Sequence, residues 1–495
     1  MAILTSGISV VLPATLRSLI SSLAGALGSD CVLSAPDEVM SYGYDAGFME
    51  GRADLVVLPR TPEQVATAVR LITAAGAPIV PRGSGTGLCG GAIPTRGGVV
   101  ISTARMNRIL RIDARNQRAV VEPGVINLDL SAAAAPYGLY YAPDPASQKI
   151  SSIGGNVMTN AGGPHCLARG VTTNHVLALQ VVLSNGEMVW LGGNEDGVPE
   201  PWGYDLLGAV VGSEGTLALV TRAVVRLMRL PEAVQTMLAI YPDVATGSES
   251  VSSIIGAGIV PSALEMMDGA ICRAVERHFH AGYPADAGSV LLIELDGARE
   301  SVAEQRERIV ALCEQHGARE VRVAQTEAER AALWAGRKGA AGALGQLAPS
   351  YYLQDAVVPR SRLPRIMARI GEIAHDHRLT IPNVFHAGDG NLHPAMLFDR
   401  RRAGDIERVI EAGNELLHAC VEMGGTVSGE HGIGLEKRDA LPLVFSAHDL
   451  AAMARLRICF DPHELFNPDK IFPSGFSCAE VAAPRLMAAS NPWFC

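Results

Sequence analysis

The chain has 495 residues, 48 % of them hydrophobic and 19 % charged, long enough for roughly two to four domains and a large core. Its formal net charge of −10 argues against a general nucleic-acid binder, whose phosphate-tracking surface needs an excess of lysine and arginine. No window reaches the ~18 uninterrupted apolar residues of a spanning helix, so a soluble, cytoplasmic protein with no direct membrane span is expected.

The start, MAILTSGISVVLPATLRSLISSLAGALG, is apolar but has no basic residue ahead of its apolar part. Leu16, Leu19, Ile20, Leu23 and Leu27 follow the spacing of an amphipathic helix, which predicts a core-packed helix in place of an export signal. Residues 42 to 50, YGYDAGFME, read as an irregular surface loop. The following ADLVVLPRTPEQVATAVRLITAAGAPIVPRG reads strand, turn, helix, strand. Thr61 is a candidate cap with Pro62 at the first helical position, and Val65, Val69 and Ile72 form the apolar face.

The stretch PRGSGTGLCGGAIP, 81 to 94, carries Gly83, Gly85, Gly87, Gly90 and Gly91. So little side chain lets the backbone turn sharply and present consecutive N–H groups to one concave site, as a diphosphate requires. It lies between apolar segments at 78–80 and 99–101 with no long helix after it, unlike the Rossmann and P-loop motifs. Strand candidates at 97–103 and 119–124 and a helix near 127–137 follow. A second small-residue region, PDPASQKISSIGGNVMTNAGG at 143 to 163, offers Ser152, Gly154, Gly155, Asn156, Asn160, Gly162 and Gly163. A third, GSEGTLALVTRAVVRL, begins at Gly212 and runs into a strand. One extended polar cofactor touching several loops accounts for all three.

From about Gln235 strand and helix signals alternate: MLAIYP, a helix near 245–256, LLIELDG at 291–297, and helices at 299–317, 361–378 and 404–422. These mixed elements predict a second domain, an antiparallel sheet with helices on one side. FDPHELFNPDKIFP, 460 to 473, then returns to the first domain.

In FHAGDGNLHPAM, 385 to 396, the glycines make a helix improbable, and two strands joined by a turn would bring His386 and His393 together. Such a pair suits a divalent metal, each imidazole offering a neutral nitrogen. In GGTVSGEHGIGLEKR, 424 to 438, Glu430 can complete a set of two histidines and one carboxylate, with His431 placed as a general base. A tight turn bearing solvated polar side chains fits the same glycines, and spacing alone does not choose between them. Nine scattered cysteines without a C-x-x-C pair exclude a disulfide framework and an internal iron–sulfur cluster, and point to a reducing compartment.

The order PRGSGTG, SSIGGNVMTNAGG, GSEGTL and FNPDKIFP resembles the FAD-linked oxidases of the vanillyl-alcohol oxidase and p-cresol methylhydroxylase (PCMH) type over roughly residues 10 to 475. That resemblance implies an α+β chain: a two-subdomain PCMH-type FAD-binding domain plus an antiparallel-sheet α+β cap domain. The boundaries expected are an N-terminal helical segment at 1–50, the FAD domain at 51–230, the cap at 231–455, a return at 456–475 and a tail at 476–495. It further implies pyrophosphate held by the backbone of Arg82, Gly83, Ser84, Gly85, Thr86 and Gly87. Further FAD contacts are expected from Pro143, Asp144, Ser152, Gly154, Gly155, Asn156, Asn160, Glu214, Gly215 and Asn467. No histidine occurs in 81–94, so non-covalent FAD is expected, with His165 and Cys166 the lesser candidates for attachment.

HAGDGNLH and SGEHGIG resemble the D-2-hydroxy-acid dehydrogenase branch of that family, which includes D-lactate, D-2-hydroxyglutarate and glycolate enzymes. The resemblance implies His386, His393 and Glu430 as ligands of zinc, manganese or iron, and His431 as the base. Trp334 and Arg337, in LWAGRKG, match the segment that places an arginine on the substrate carboxylate, a role suited to its planar fork. Dicarboxylate-using relatives have a hydroxyl residue where this chain has Ala341, which favours a short monocarboxylate such as glycolate or D-lactate. The glycolate-oxidising members also imply an iron–sulfur subunit and a second flavin-type subunit as partners, through which the chain would reach the inner membrane. A flavin-free metallohydrolase leaves the three glycine-rich regions unexplained, and a non-catalytic FAD-bearing subunit has no use for the histidine motifs.

Overall fold

The computed structural model describes residues 13–199, 203–476 and 478. Residues 1–12 and nearly all of the 476–495 tail lie outside them. The described chain divides into two units, the first containing residues up to Ala161, Val171–Arg229 and the chain from His431 onward, the second Gly162–Gly170 and Leu230–Glu430.

In the first unit, Thr61 caps the helix Pro62–Ala74 by accepting the Gln64 N–H, with Pro62 at its first turn. Val65, Val69 and Ile72 are buried, and they share one core with Leu19, Leu23 and Leu27 of the helix Pro13–Leu27. Both helices cover a four-stranded sheet in the order Val32–Leu33, Leu55–Val57, Val99–Ser102, Ile79–Arg82, its last three strands parallel. The glycine-rich stretch therefore connects two neighbouring parallel strands. A second core lies against a five-stranded antiparallel sheet, ordered Ile109–Asp113, Arg118–Val121, Leu219–Arg226, Val176–Val182, Met188–Leu191. Two α+β subdomains result, as expected.

Two local expectations change. Residues 42–50 are not a surface loop throughout: Asp45 is buried and accepts N–H groups from Gly47 and Gly90, pinning the segment beneath the glycine-rich stretch. The second small-residue region is not all loop either, because Ser152 caps a short helix, Ile153–Thr159, by accepting the Gly155 N–H.

The second unit is built on an eight-stranded antiparallel sheet. Its path runs Glu320–Val323, Ala233–Tyr241, Ser289–Gly297, Ala263–Asp268, Asn383–His386, Asn391–Phe398, Ser350–Leu353, with Ala356–Val357 also pairing with Asn391–Phe398. Helices cover both faces, not one. Leu238, Val290 and Leu292 pack against the helices Gly269–Phe279 and Glu327–Leu344, while alternate residues such as Tyr241 and Met266 meet Gly247 of the helix Val244–Gly256. Strand alternation makes each face apolar on its own, so each needs a cover.

Candidate functional site

In the first unit the predicted cofactor residues fall into two groups. Gly83 approaches the cap of the short helix so closely that a Cβ there would lie 2.3 Å from Ser152 Oγ and 3.4 Å from Gly155. Beside this junction a groove of about 390 Å³ is lined by Gly83, Ser84, Ser152, Asn107, Gly124, Ile126 and Asp129, among others. Gly124 must also be bare, since a Cβ would come within 2.4 Å of the Thr103 carbonyl. Asn107 and the 124–129 segment were not singled out in the sequence; the Pro123-Gly124 turn was the available signal. Asn156 Nδ2 and Ser151 Oγ are buried without a hydrogen-bond partner, and such atoms call for one, from water or a ligand.

The second group ties loops together. Glu214 takes the Ile433 and Gly434 N–H groups at 2.7 and 2.8 Å, and Asn467 Nδ2 donates to the carbonyls of Glu214 and Gly91 at 2.6 and 2.8 Å. Burial pushes the Glu214 carboxyl up, opposed by those two N–H groups and by Lys470 and Lys437. Gly215 has φ +71° over Pro81. Arg82 is turned away from the loop backbone, its guanidinium on the Tyr44 carbonyl. Gly85 lies over that guanidinium, and the Gly87 carbonyl accepts the Ala46 N–H. Asn160 takes a left-handed conformation at the end of the short helix and accepts the Thr173 N–H. The Pro143 carbonyl accepts from Asn127 Nδ2.

In the second unit, FHAGDGNLH is the hairpin that its glycines predict. His386 pairs with Asn391 and His393 with Val384, so the two histidines share a sheet face. Their rings sit edge to face, centroids 5.0 Å apart. Glu430 Oε1 lies 3.2 Å from His386 Nε2 and 3.1 Å from His393 Nε2, and all three ligand atoms are within 4.8 Å of one another. Asp355, fully buried, accepts from Ser428 Oγ and from the Gly429 and Glu430 N–H groups, which fixes the segment bearing Glu430. His431 follows it and opens the chain's return to the first unit.

A residue absent from the sequence reading completes this cluster. Glu265 stands directly across from His386 on the neighbouring strand, with its carboxylate 2.7 and 2.9 Å from His386 Nδ1. Arg337, expected on the substrate carboxylate, sends Nε and Nη2 to the same carboxylate at 2.7 and 2.6 Å. Burial raises the Glu265 carboxyl, but Arg337 and His386 outweigh it and hold the group below its ordinary range. Three residues before Arg337, Trp334 donates from Nε1 to Glu294 at 2.5 Å, and its ring stacks on His165. Glu294 also takes Thr236 and Arg330 and sits 3.5 Å from His165. These bonds, against the upward push of burial, hold it down to about 2. One face of the helix Glu327–Leu344 thus carries Arg330, Trp334 and Arg337 onto two buried carboxylates of the sheet.

The donor set suits a divalent cation. Glu265 at Nδ1 of His386, and the Gln354 carbonyl 3.4 Å from Nδ1 of His393, both favour tautomers whose Nε2 lone pairs converge with the carboxylate. Burial opposes a proton on His386, yet Glu265 and Glu430 raise its affinity well above the ordinary range. Glu430 is correspondingly held well below its own range by His386 and His393, despite burial.

The FAD binding domain signature matches residues 53–192, and that of the C-terminal domain of FAD linked oxidases matches residues 230–471. The chain belongs to the FAD-linked oxidases. It is 44 % identical to the glycolate oxidase subunit GlcD of Escherichia coli K12, across 93 % of this chain and 92 % of that one. To the glycolate oxidase subunit GlcD of Bacillus subtilis it is 43 % identical across 90 and 94 %, and to a D-lactate dehydrogenase of Anaerostipes hadrus 32 % across 88 and 91 %. In fold it is similar to p-cresol methylhydroxylase with substrate bound, at TM-score 0.76, 17 % identity and coverage of 95 and 99 %. It is also similar to alkyldihydroxyacetonephosphate synthase, at TM-score 0.71, 17 % identity and coverage of 94 and 86 %. Among the described residues no helix is long and apolar enough to cross a membrane.

Proposed function

We propose that this FAD-linked oxidase dehydrogenates a short D-2-hydroxy acid, glycolate to glyoxylate first and D-lactate to pyruvate second. The convergence of His386, His393 and Glu430 in a chain 44 % identical to a glycolate oxidase subunit carries the reading. When bound, FAD supplies a two-electron acceptor, and a divalent metal on those three residues supplies a Lewis acid that lowers the alcohol pKa. His431 takes the hydroxyl proton as the carbon gives up its hydrogen together with the bonding pair. Arg337, whose Nε and Nη2 bond to Glu265, orients the substrate carboxylate. Ala341, where the resemblance places a hydroxyl residue in dicarboxylate enzymes, favours a monocarboxylate.

The groove beside Gly83 and Ser152 and the unpartnered Asn156 and Ser151 support the first-unit loops as the FAD site. FAD is proposed to be held non-covalently, since residues 81–94 contain no histidine. Because the two GlcD relatives are named as subunits, electrons are proposed to leave for partner subunits, one carrying iron–sulfur clusters and one a second flavin. Anaerobic mixing with a panel of short 2-hydroxy acids, followed by flavin bleaching, tests the substrate. Glycolate and D-lactate should bleach the wild type, while His431→Asn should keep FAD and lose the reaction. Rapid reduction of that variant would dismiss His431 as the base.

A further inference from the structure

Glu265 is a carboxylate that touches both halves of the proposed chemistry. It lies at 0 % exposure in the strand Ala263–Asp268, bonded to His386 Nδ1 on one side and to Arg337 Nε and Nη2 on the other. Those bonds fix two degrees of freedom that the sequence leaves open. An imidazole can carry its proton on either nitrogen, and only the Nδ1–H form presents Nε2 to a metal. A guanidinium on a long side chain samples many orientations, and two bonds to one carboxylate oxygen leave it few.

We propose that Glu265 is a positioning residue that holds His386 in its metal-binding tautomer and locks Arg337 in register with it. The inference rests on the metal reading above. Its geometry does not depend on rotamer luck: Glu265 and His386 are directly paired residues of adjacent antiparallel strands, and Arg337 descends from the helix covering that same face. The arrangement explains why an arginine matching a substrate-binding segment is nearly buried and ion-paired. Its charge is balanced by the sheet, so the guanidinium is oriented before any substrate arrives. Both ends of the substrate, hydroxyl and carboxylate, are then referred to one rigid carboxylate.

The test is Glu265→Gln, which preserves shape but can no longer serve as an anion to both neighbours. In the full chain with FAD bound, zinc affinity measured by competition with a chromophoric chelator should fall roughly 10- to 100-fold, the usual effect of losing an outer-shell partner. KM for glycolate should rise while FAD content stays at the wild-type level. Arg337→Lys, which keeps the charge and loses the fork, should raise KM and leave zinc affinity within twofold. Nitrogen-15 histidine spectra of the zinc-loaded wild type, which need no substitution, should show His386 protonated at Nδ1. Equal zinc affinity and KM in Glu265→Gln, or an Nε2–H tautomer for His386, would overturn the inference alone. Wild-type protein that binds none of zinc, manganese and iron would overturn the metal reading and this inference with it.

Discussion

The two units solve opposite problems. In the first, the proposed FAD groove is shaped by what is missing: Gly83 and Gly124 lack a Cβ because backbone or a capping hydroxyl already occupies that space. In the second, the proposed metal site is made by what is present, with the ionisable side chains of Glu265, Arg337, His386 and His393 buried and that of Glu430 only 11 % exposed. A large polar cofactor can be bound by many backbone groups, none of which must be charged. A compact divalent ion needs a few strong donors whose own desolvation is offset by neighbours. The first kind of site tolerates loss of a side chain and fails when one is added. The second fails in the reverse sense.

That contrast can be broken by experiment. The largest effect is expected from Glu430→Gln, which removes the carboxylate shared by both histidines. Its rate of flavin reduction by glycolate should fall more than about 100-fold, beyond what loss of an outer-shell partner brings, with FAD content unchanged in the absorption spectrum. Loss of FAD along with activity would show that the two sites are not separable in this way. The next effect is the converse, from an added methyl. Gly83→Ala should weaken FAD by roughly 1–3 kcal/mol, the usual range for overpacking, seen as released flavin fluorescence, and leave zinc content intact. Retention of FAD by that variant would mean the Gly83–Ser152 approach relaxes freely.

The smallest effect concerns stability. Lys470 is fully buried, with Nζ on the Ile93 and Pro468 carbonyls, and burial, opposed by Asp469 and Glu214, takes its pKa down to about 7 from the ordinary 10.5. Above pH 7 the unfolded chain therefore holds a proton that the folded chain has released, so this group makes stability rise with pH from about 7 toward 10. Urea midpoints measured at pH 7, 8 and 9 should climb more steeply in the wild type than in Lys470→Met. Identical slopes would mean Lys470 stays charged in the fold.

Particular residues show how much could be read in advance. Thr61 and Pro62 announced a helix start through chemistry local to four residues, and the hairpin of FHAGDGNLH followed from its own turn glycines. Glu265 had no such marker: it stands in ALEMMD, an apolar strand not picked out in advance, and acquires meaning only across a strand pairing with a residue 121 positions later. Arg337 was found by its motif, yet its partner was not, since nothing near it in the chain names a carboxylate 72 positions earlier. Helices on both faces of the second sheet were likewise missed, because short apolar strands read alike whether one face or two is buried.

By itself the amino-acid order determined the glycine-rich turns, the helix caps, the hairpin and the donor types offered to a metal, because each depends on backbone freedom or chemistry within a few residues. Only the tertiary structure decided which carboxylate stands behind which imidazole, and that Arg337 is committed to Glu265 before any ligand arrives. Those choices belong to strand register and to the face a helix turns inward. Both are settled by burial of apolar surface over the whole sheet, a sum that no local stretch contains.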